Sequence, residues 1–318
     1  MTERSIVIAG ASGVIGRHLI AALGEEYALT VLTRRVEGSY PASVTPLAWR
    51  SDAARAGNEE ELSRLTSALE GAAALVNLAG SPLDEGRLGP AHVDRMLESR
   101  VDSTTTLVTA MQRCRVAPAT VIQGSSSGYY GQRGEELLEE DAGPGRRFVL
   151  TPVAEAWEAA AAPAAARSRL CVMRMGVVLA RDAPAWQKLL VPIRLGVGGR
   201  YGSGRQWFPW IHVDDLVAAL RYLIKVETCE GAFNTVAPEQ ARQADLGRAV
   251  ARRLRRPFWL PAPAWALRLL LGRLADGALL QSARMVPARL LECGFAFERG
   301  TLQTALDELL PPRRPARG

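Results

Sequence analysis

The feature that most constrains the fold lies at the start of the chain, where an apolar run, three glycines and an amphipathic stretch follow one another. Residues 6–9 are Ile-Val-Ile-Ala, which predicts a buried strand. Gly10, Gly13 and Gly16 come next, and apolar residues then recur at helical spacing over 19–23. Strand, glycine turn and helix together are the context of a dinucleotide fingerprint, in which the backbone approaches a pyrophosphate at the helix N-terminus. The spacing is G-x-x-G-x-x-G rather than G-x-G-x-x-G, so an ordinary turn remains the alternative.

The rest of the chain alternates strands and helices up to about residue 237 and is helical beyond it. Strand-like apolar runs occur at 28–33, 73–80, 120–123, 170–179 and 231–236. Helical stripes separate them at 62–69, 93–114, 152–166 and 216–226. This order predicts an α/β fold, a Rossmann-type doubly wound parallel sheet with a smaller, mostly helical C-terminal substrate lobe. We expect a dinucleotide-binding domain over 1–237, with a substrate-loop insertion at about 180–212, and a small helical domain over 238–318.

The end of the second predicted strand indicates which dinucleotide binds. NAD-binding folds place an acid about 20 residues past the glycines, whereas this chain has Arg34 and Arg35 there. A guanidinium pairs with a phosphate in a two-pronged fork, so the two arginines favour NADP over NAD. A solvated turn is the alternative, because arginine is common in this chain and only Lys188 and Lys225 are lysines.

Composition excludes several other classes of protein. The net charge is +6, but the arginines are scattered, so we expect no nucleic-acid partner. No apolar run reaches the roughly 18 residues that a membrane span needs. The cysteines are far apart and the histidines lack ligand spacing, so we expect no metal site and four reduced thiols in a cytoplasmic protein. These cysteines are Cys114, Cys171, Cys229 and Cys293.

Two loops beyond strand ends carry polar and aromatic residues. Residues 124–131 read Gly-Ser-Ser-Ser-Gly-Tyr-Tyr-Gly, and open α/β sheets bind ligands at such strand ends. Residues 195–212 combine glycines, arginines and tryptophans, a mixture that suits a small-molecule pocket. The alternative is that these tryptophans are core and the arginines solvated. We expect Asp214 or Asp215 to cap the helix that follows.

With these stretches in place, the chain resembles the extended short-chain dehydrogenase/reductase superfamily. Within it, the chain is most similar to a subgroup of NAD(P)-dependent nucleoside-diphosphate-sugar epimerases with a small C-terminal domain, some of which are labelled cell-division-inhibitor-like proteins. The matching stretches are Gly10-Ala-Ser-Gly-Val-Ile-Gly16, Val76-Asn-Leu-Ala-Gly80, Gly128-Tyr-Tyr-Gly131, Ala156-Trp-Glu158, Arg174-Met-Gly176 and Gly202-Ser-Gly-Arg-Gln-Trp-Phe-Pro-Trp-Ile-His212. Leu260-Pro-Ala-Pro263 and the stretch 285–295 resemble the C-terminal domain, so the resemblance covers nearly the whole chain.

The motifs and the resemblance together predict the site residues. Ser125, or its neighbours Ser126 and Ser127, matches the superfamily's active-site serine, and Tyr129 and Tyr130 are the candidate acid/base groups. The predicted substrate residues are Arg205, Trp207 and His212. The predicted cofactor-binding residues are Gly10, Ser12, Gly13, Val14, Ile15, Gly16, Arg34, Arg35, Leu78, Ala79, Gly80, Arg100 and Met175.

One departure from the superfamily bears on function. Its members use Tyr-x-x-x-Lys on one helix, but neither lysine here has a tyrosine four residues before it, and the matching positions are Leu150 and Ala154. The first hypothesis remains an NADP-dependent epimerase or oxidoreductase, monomeric or homodimeric, that acts on a sugar nucleotide or similar small polar substrate. The second is a non-catalytic NADP-binding sensor or partner-binding protein. The third is a structural protein with an empty Rossmann sheet.

Overall fold

The computed structural model describes residues 5–36, 40–83, 89–146, 148–272 and 275–311. Strands and helices alternate through most of these residues. The strands are β1 (Ser5–Ala9), β2 (Ala28–Thr33), β3 (Val44–Ala48), β4 (Ala74–Asn77), β5 (Thr120–Ser126), β6 (Leu137–Leu138), β7 (Arg169–Met175), β8 (Val177–Leu179), β9 (Trp207–Phe208), β10 (Trp210–His212), β11 (Gly231–Thr235), β12 (Ala241–Arg242) and β13 (Arg284–Met285). The α-helices are α1 (Val14–Leu23), α2 (Glu59–Leu69), α3 (Pro90–Arg113), α4 (Thr151–Ala161), α5 (Pro184–Arg194), α6 (Val213–Lys225), α7 (Gln243–Leu254), α8 (Ala264–Leu271), α9 (Ala288–Glu292) and α10 (Leu302–Leu309).

A seven-stranded sheet lies at the centre, in the order β11-β7-β5-β4-β1-β2-β3. Every neighbouring pair in it is parallel. The strand order reverses between β1 and β4, and the carboxyl ends of the strands at such a reversal form a ligand-binding crevice. The predicted Rossmann-type α/β fold is therefore confirmed, and the predicted glycine loop lies at that crevice.

Both faces of the sheet are covered, which explains why its strands are continuous apolar runs. Side chains alternate along β1, so Ile6 and Ile8 pack in one core layer while Val7 and Ala9 pack in the other. The first layer contains buried residues of α1 and α6, and the second contains those of α2 and α3. Helices on both faces make the sheet doubly wound, as the alternating pattern predicts.

The C-terminal region is mainly helical, as predicted, and it packs against the sheet. Leu246 of α7, Leu290 of α9 and Leu306 of α10 belong to the same core layer as β1. Short pairings of β13 with β6 and of β12 with β9 join this region to the loops that follow β5 and β8. The division of the chain at residue 237 stays a prediction.

Two elements differ from the sequence-based expectations. The edge strand β3 is not among the strands that the sequence predicts. It contains Pro46, which weakens the strand signal but is tolerated at the edge of a sheet. Helix α5 lies inside the predicted substrate-loop insertion. Its buried residues Trp186, Leu190 and Ile193 follow helical spacing, and its interior Pro192 obscures the pattern.

The prediction that Asp214 or Asp215 caps α6 is wrong. The N-cap is His212, whose Nδ1 accepts a hydrogen bond from the Asp214 backbone N–H at 3.2 Å. Asp214 and Asp215 lie in the first turn, where carboxylates interact favourably with the helix dipole. Asp215 is buried and accepts hydrogen bonds from the backbone N–H groups of Glu298 and Arg299, so it fixes the segment before α10.

The four cysteines are free thiols, as predicted, and all but Cys293 are buried. Burial raises the pKa of Cys171 to about 12, so this thiol stays protonated and unreactive at neutral pH. Within the described ranges, no helix combines the length and apolarity needed to cross a bilayer.

Candidate functional site

The glycine loop after β1 is tightly closed by its own neighbours. Gly10 has φ of +87°, and a Cβ there would lie 2.6 Å from the backbone carbonyl of Leu78. A Cβ on Gly16 would lie 2.6 Å from the Cα of Ala11. The first and third glycines are therefore required for the backbone to pack, whatever the loop binds.

Gly13 differs from the other two glycines, because it faces open space. It is the exposed N-cap of α1, and among the described residues other than its chain neighbours a Cβ there would contact just the carbonyl oxygen of Gly10, at 3.4 Å. No side chain caps α1, which leaves the backbone N–H groups of its first turn available. Ser12 is exposed beside it, and Val14 and Ile15 are half-buried. This arrangement can accept a phosphate over Gly13.

Arg34 and Arg35 follow β2 and are both exposed. The hydroxyl of Thr33 donates to the Arg35 carbonyl at 2.8 Å and accepts from the Arg35 N–H at 3.2 Å, which fixes the turn. Neither guanidinium forms an ion pair within the part of the chain that the structure describes. Both charges are therefore available to an anionic ligand at the end of β2.

The turn after β4 is oriented by Asn77, which is buried. Its amide nitrogen donates to Thr104 Oγ1 at 2.9 Å and to Gln123 Oε1 at 3.0 Å. Its Oδ1 accepts from the N–H of Ala79 at 3.2 Å. Residues 78–80 thus follow a fixed path away from the sheet, with Leu78 and Ala79 half-buried and Gly80 exposed. Asn77 has a structural role here, the interpretation that its strand-end position favours.

Arg100 of α3 projects over this turn instead of into solvent. A Cβ on Gly80 would lie 3.0 Å from the Arg100 Cζ, and that Cζ lies 4.8 Å from the centre of the Trp157 ring. Its Nη1 donates to the carbonyls of Ser81 at 3.0 Å and Met96 at 3.2 Å. Burial lowers the pKa of Arg100 to about 10, which leaves the group charged at neutral pH.

The three serines that follow Gly124 do not share one environment. Ser125 is fully buried, and its hydroxyl donates to Glu158 Oε1 at 2.6 Å. Ser126 pairs in register with Met175 of β7 and, by strand alternation, points to the opposite face. Ser126, Ser127 and Met175 are all half-buried. Of the three serines, Ser126 and Ser127 are therefore the ones that a ligand can reach.

A polar row crosses the sheet beneath this loop and includes residues that the predicted site did not contain. Ser125, Arg174 and Asn234 are register partners on β5, β7 and β11. Arg174 donates from Nε and Nη2 to the two oxygens of Glu158, at 3.0 and 2.9 Å, and from Nη1 to the Tyr130 hydroxyl at 2.9 Å. This fork, together with the Ser125 hydroxyl, occupies both oxygens of the Glu158 carboxylate.

The two candidate tyrosines differ in access. Tyr130 is fully buried, its hydroxyl donates to Asn234 Oδ1 at 2.8 Å, and burial raises its pKa to about 12. Tyr129 is half-buried, with the Arg174 Cζ 3.5 Å from its ring centre, and burial raises its pKa as well. Neither phenol is poised to abstract a proton at neutral pH. Leu150 and Ala154, the positions that the sequence predicts for the superfamily's tyrosine and lysine, are both buried.

Of the predicted substrate residues, Trp207 and Arg205 lie together. The Trp207 indole N–H donates to Glu135 Oε2 at 2.9 Å, and the guanidinium carbons of Arg242 and Arg284 lie 4.2 and 4.7 Å from its ring centre. The Arg205 side chain is exposed and forms no ion pair with a described residue. Trp207 is therefore fixed by charged neighbours, and Arg205 is the member of the pair that can approach a ligand.

Other polar and aromatic residues of the same loop belong to the core. Trp210 is buried, and its indole N–H donates to the Glu239 carbonyl at 3.1 Å. Gln206 is also buried, and its amide donates to the carbonyls of Tyr201 and Leu279. For Trp210 the core interpretation of the loop is therefore correct, and Gln206 is a core residue as well.

His212, the third predicted substrate residue, is buried at the cap of α6. Its Nε2 lies 3.9 Å from a Glu308 oxygen without a hydrogen bond, and Asp214 completes a group whose possible ligand atoms lie within 4.8 Å. A neutral ring that accepts at Nδ1 carries its proton at Nε2 and so offers no lone pair there. Arg299 already lies 2.8 Å from Glu308 and 3.6 Å from Asp214. We therefore assign the group to helix capping and packing of α10.

A doubly wound parallel sheet with an open glycine loop and charged side chains at its carboxyl edge defines a Rossmann-type protein built to bind a ligand at that edge. The model of the NAD-dependent epimerase/dehydratase family matches residues 6–234, and a domain of unknown function, DUF1731, matches residues 262–309. The chain belongs to the NAD-dependent epimerase/dehydratase family.

Relatives match nearly the whole chain. It is 31% identical over 315 residues to the chloroplastic epimerase family protein SDR39U1 homolog of Arabidopsis thaliana, covering 97% of this chain and 87% of that one. It is 33% identical over 303 residues to an epimerase family protein of Mycobacterium leprae, covering 95% and 94%. The human epimerase family protein SDR39U1, solved with NADPH, superimposes with a TM-score of 0.84 at 27% identity, covering 96% of this chain and 99% of that one. The resemblance noted from the sequence is confirmed.

Proposed function

We propose that this protein binds NADP(H) and acts as an epimerase or oxidoreductase on a sugar nucleotide or a similar small polar molecule. The observation that carries the proposal is the open surface over Gly13, next to a helix N-terminus without a side-chain cap. Arg34 and Arg35 add two positive charges at the end of β2, where a 2′-phosphate would lie. That the human relative was solved with NADPH supports the same cofactor.

The residues at the carboxyl edge fit a dinucleotide laid across β1, β4 and β7. In this proposal the glycine loop binds the pyrophosphate, and residues 78–80 and Met175 line the path toward the serine loop. The cofactor supplies hydride transfer when bound, and the chain supplies orientation and proton handling. The small-molecule partner, the monomeric or homodimeric state, the absence of a metal and a cytoplasmic location belong to the same proposal.

Among the site's hydroxyls, Tyr129 is the one that we assign to proton transfer. It is half-buried beside the accessible serines, whereas Tyr130 is sealed in the core. Because burial raises its pKa, the Tyr129 phenol stays protonated at neutral pH. A protonated phenol suits donation to a reduced carbonyl oxygen better than abstraction of a proton. In this proposal Tyr129 donates the proton to the oxygen of a carbonyl that the bound NADPH reduces.

A non-catalytic NADP(H)-binding protein is the second candidate, and specific observations favour it. Leu150 and Ala154 stand at the positions predicted for the superfamily's acid/base pair. The carboxylate of Glu158 already accepts two hydrogen bonds from Arg174. In this candidate the carboxyl edge of the sheet still binds the cofactor, but the acid/base groups that would catalyse a reaction beside it are absent.

Turnover assays separate the two candidates. Purified protein is incubated with each nicotinamide cofactor and a panel of keto sugars, sugar nucleotides and keto acids; net reduction is followed as loss of NADPH absorbance, and epimerisation, which consumes no cofactor, is followed as epimeric product by NMR, both against a protein-free control. The first candidate predicts turnover with at least one substrate class and a lower kcat for Tyr129→Phe. NADPH binding without turnover of any compound would favour the second candidate.

A further inference from the structure

Exposed apolar side chains gather around the segment that leads into α8. Trp259 and Trp265 are 65% and 70% exposed, although tryptophan is on average a largely buried residue. Four aliphatic side chains beside them in the fold are 43% to 73% exposed. We call these six residues the tryptophan face: Val191, Leu195, Val197, Trp259, Leu260 and Trp265. An apolar surface of this kind on a folded protein marks a site of interaction.

The tryptophan face is one surface because two segments far apart in the chain run side by side. The backbone N–H of Trp259 donates to the Gly198 carbonyl at 2.9 Å, and its indole N–H donates to the Gly196 carbonyl at 3.1 Å. Tyr201 and Ala262 pair further along, just before α8 begins. The turn after α5 and the start of α8 are therefore joined.

Both tryptophans point outward because a neighbouring residue anchors each segment in the core. Phe258 packs on α7, where a Cβ on Gly247 would lie 2.5 Å from its ring. Trp259 follows it in a segment that pairs like a strand, so the two side chains take opposite sides. In α8, Leu267 is buried, and Trp265, two positions earlier, lies on the other side of the helix. The fold itself thus presents both indole rings to solvent.

The segments that carry the tryptophan face are strongly basic. Residues 183–213 and 246–275 contain no aspartate or glutamate but eleven lysines and arginines. Some of these arginines pair with acids from other segments, as Arg253 does with Asp307. Five others are exposed and form no ion pair with a described residue: Arg194, Arg200, Arg252, Arg255 and Arg256. Uncompensated positive charge therefore lies beside the apolar side chains.

We propose that the tryptophan face binds the surface of an anionic lipid bilayer. Apolar side chains enter the boundary between headgroups and acyl chains, where indole rings are favoured, and arginines bind the anionic headgroups. A second copy of this chain fits less well, because a symmetric contact through this face sets like charges against each other. The protein lies on the bilayer without crossing it. None of the six residues belongs to the predicted site, so this inference is independent of the proposed function.

Co-sedimentation of the full chain with vesicles tests the proposal. One set of vesicles is phosphatidylcholine alone, and the other is equal parts of phosphatidylcholine and phosphatidylglycerol. We expect binding to the anionic vesicles at low salt, weaker binding to the neutral ones, and release as salt screens the arginines. Tryptophan emission should shift to shorter wavelength on binding, because the exposed indoles leave water.

Two double variants separate the apolar contribution from the charged one. Trp259→Ser with Trp265→Ser should weaken binding to anionic vesicles by about tenfold or more and abolish the emission shift. Arg255→Asn with Arg256→Ser should weaken it by roughly thirtyfold. Asparagine is chosen at Arg255 because the backbone there has φ of +54°, which asparagine tolerates.

The matched controls change equally exposed side chains outside the tryptophan face. Leu137→Ser with Leu291→Ser removes two apolar side chains that are 46% and 50% exposed. Arg115→Ser with Arg146→Ser removes two exposed positive charges. Both control proteins should bind anionic vesicles as the wild type does.

Absence of wild-type binding to anionic vesicles at low salt would overturn the proposal, as would wild-type affinity in either tryptophan-face variant. Sedimentation velocity detects the alternative occupant. A wild-type dimer that dissociates in the tryptophan variant, without vesicle binding, would assign the face to a second copy and overturn the proposal as well. Should the tryptophan double variant not fold, Trp265→Ser alone leaves the hydrogen bond from Trp259 to Gly196 intact and must still weaken binding.

Discussion

The hydroxyl of Ser125 donates a 2.6 Å hydrogen bond to Oε1 of Glu158. The same carboxylate accepts the fork of Arg174, and the two charged side chains are only 15% and 6% exposed. Because Ser125 and Arg174 are register partners on adjacent strands, one residue of α4 joins the ends of β5 and β7. This link fixes the base of the serine loop, and it turns the first serine of that loop away from any ligand.

Removing one charge of this pair should destabilise the protein strongly. Arg174→Met leaves the Glu158 carboxylate buried without its guanidinium, at an expected cost of about 3–5 kcal/mol in the free energy of unfolding. The double variant Arg174→Met with Glu158→Met removes both charges and should recover much of that loss. Urea unfolding measures both, and a double variant no more stable than the single one would contradict the account.

Acid stability should depend on the His212 cap. Burial lowers the pKa of this ring below its ordinary 6.5, so the unfolded chain binds more protons as pH falls through that value. Folding stability then decreases with falling pH until the ring protonates in the folded state. The titratable and charged groups around the ring are those of Glu308, Asp214, Asp215, Arg299 and His18.

His212→Asn isolates that effect, because asparagine keeps an N-cap acceptor but does not titrate. Thermal unfolding between about pH 7 and pH 5 should show a smaller loss of stability in the variant. Asp214 has a raised pKa and shifts stability in the opposite direction, but it is present in both proteins. If stability falls equally with pH in the two proteins, the His212 cap is not the source of the pH dependence.

Cofactor preference should follow the arginines after β2. We expect NADPH to bind more tightly than NADH, and the double variant Arg34→Ala with Arg35→Ala to lose that preference. Each charge-assisted hydrogen bond lost should cost about 1.5–3 kcal/mol. Calorimetric titration with both cofactors measures the difference, and the variant's NADH affinity is the internal control. If the wild type binds NADPH and NADH with equal affinity, these arginines do not contact the cofactor.

The exposed Arg205 should bind an acidic group of the substrate. A thermal-shift screen of phosphorylated sugars, sugar nucleotides and keto acids in saturating NADPH identifies a ligand first. Arg205→Ala should lose the shift and keep NADPH binding, and Arg205→Lys should recover part of it, since an ammonium cannot form the fork. Arg248→Ala, on the exposed face of α7, is the control. If Arg205→Ala retains the thermal shift, Arg205 does not bind the substrate and the loop has a structural role.

The sheet was predictable because local patterns specify it. The apolar runs at 6–9 and 28–33 are buried on both faces, and glycines end the first of them, so composition and spacing suffice. The helix α5 and the edge strand β3 were missed since Pro192 and Pro46 interrupt their patterns. Tertiary contacts outweigh such local signals, and sequence spacing does not record those contacts.

The site was only partly predictable for a related reason. The residue types and positions of Arg34, Arg35 and the glycines are enough to predict them as site residues. Glu158 and Arg174 stood in motifs, but their pairing with Ser125 depends on strand register between segments far apart in the chain. Likewise, residue preferences at helix N-caps favour aspartate over histidine, so they predict one of the two adjacent aspartates, and not the histidine, as the cap of α6.

The central claim, that the glycine loop binds the dinucleotide, is tested most directly by titrating NADPH into Gly13→Val. Apart from chain neighbours, a Cβ there contacts one atom of the described residues, the Gly10 carbonyl oxygen at 3.4 Å, but the valine side chain would occupy the space over the helix N-terminus. Gly89→Val makes the same change at the N-cap of α3, where a Cβ has no neighbour within 4 Å among the described residues, and so controls for the cap. The account predicts a folded Gly13→Val protein without measurable NADPH binding and wild-type affinity for Gly89→Val. Wild-type affinity in folded Gly13→Val would contradict it.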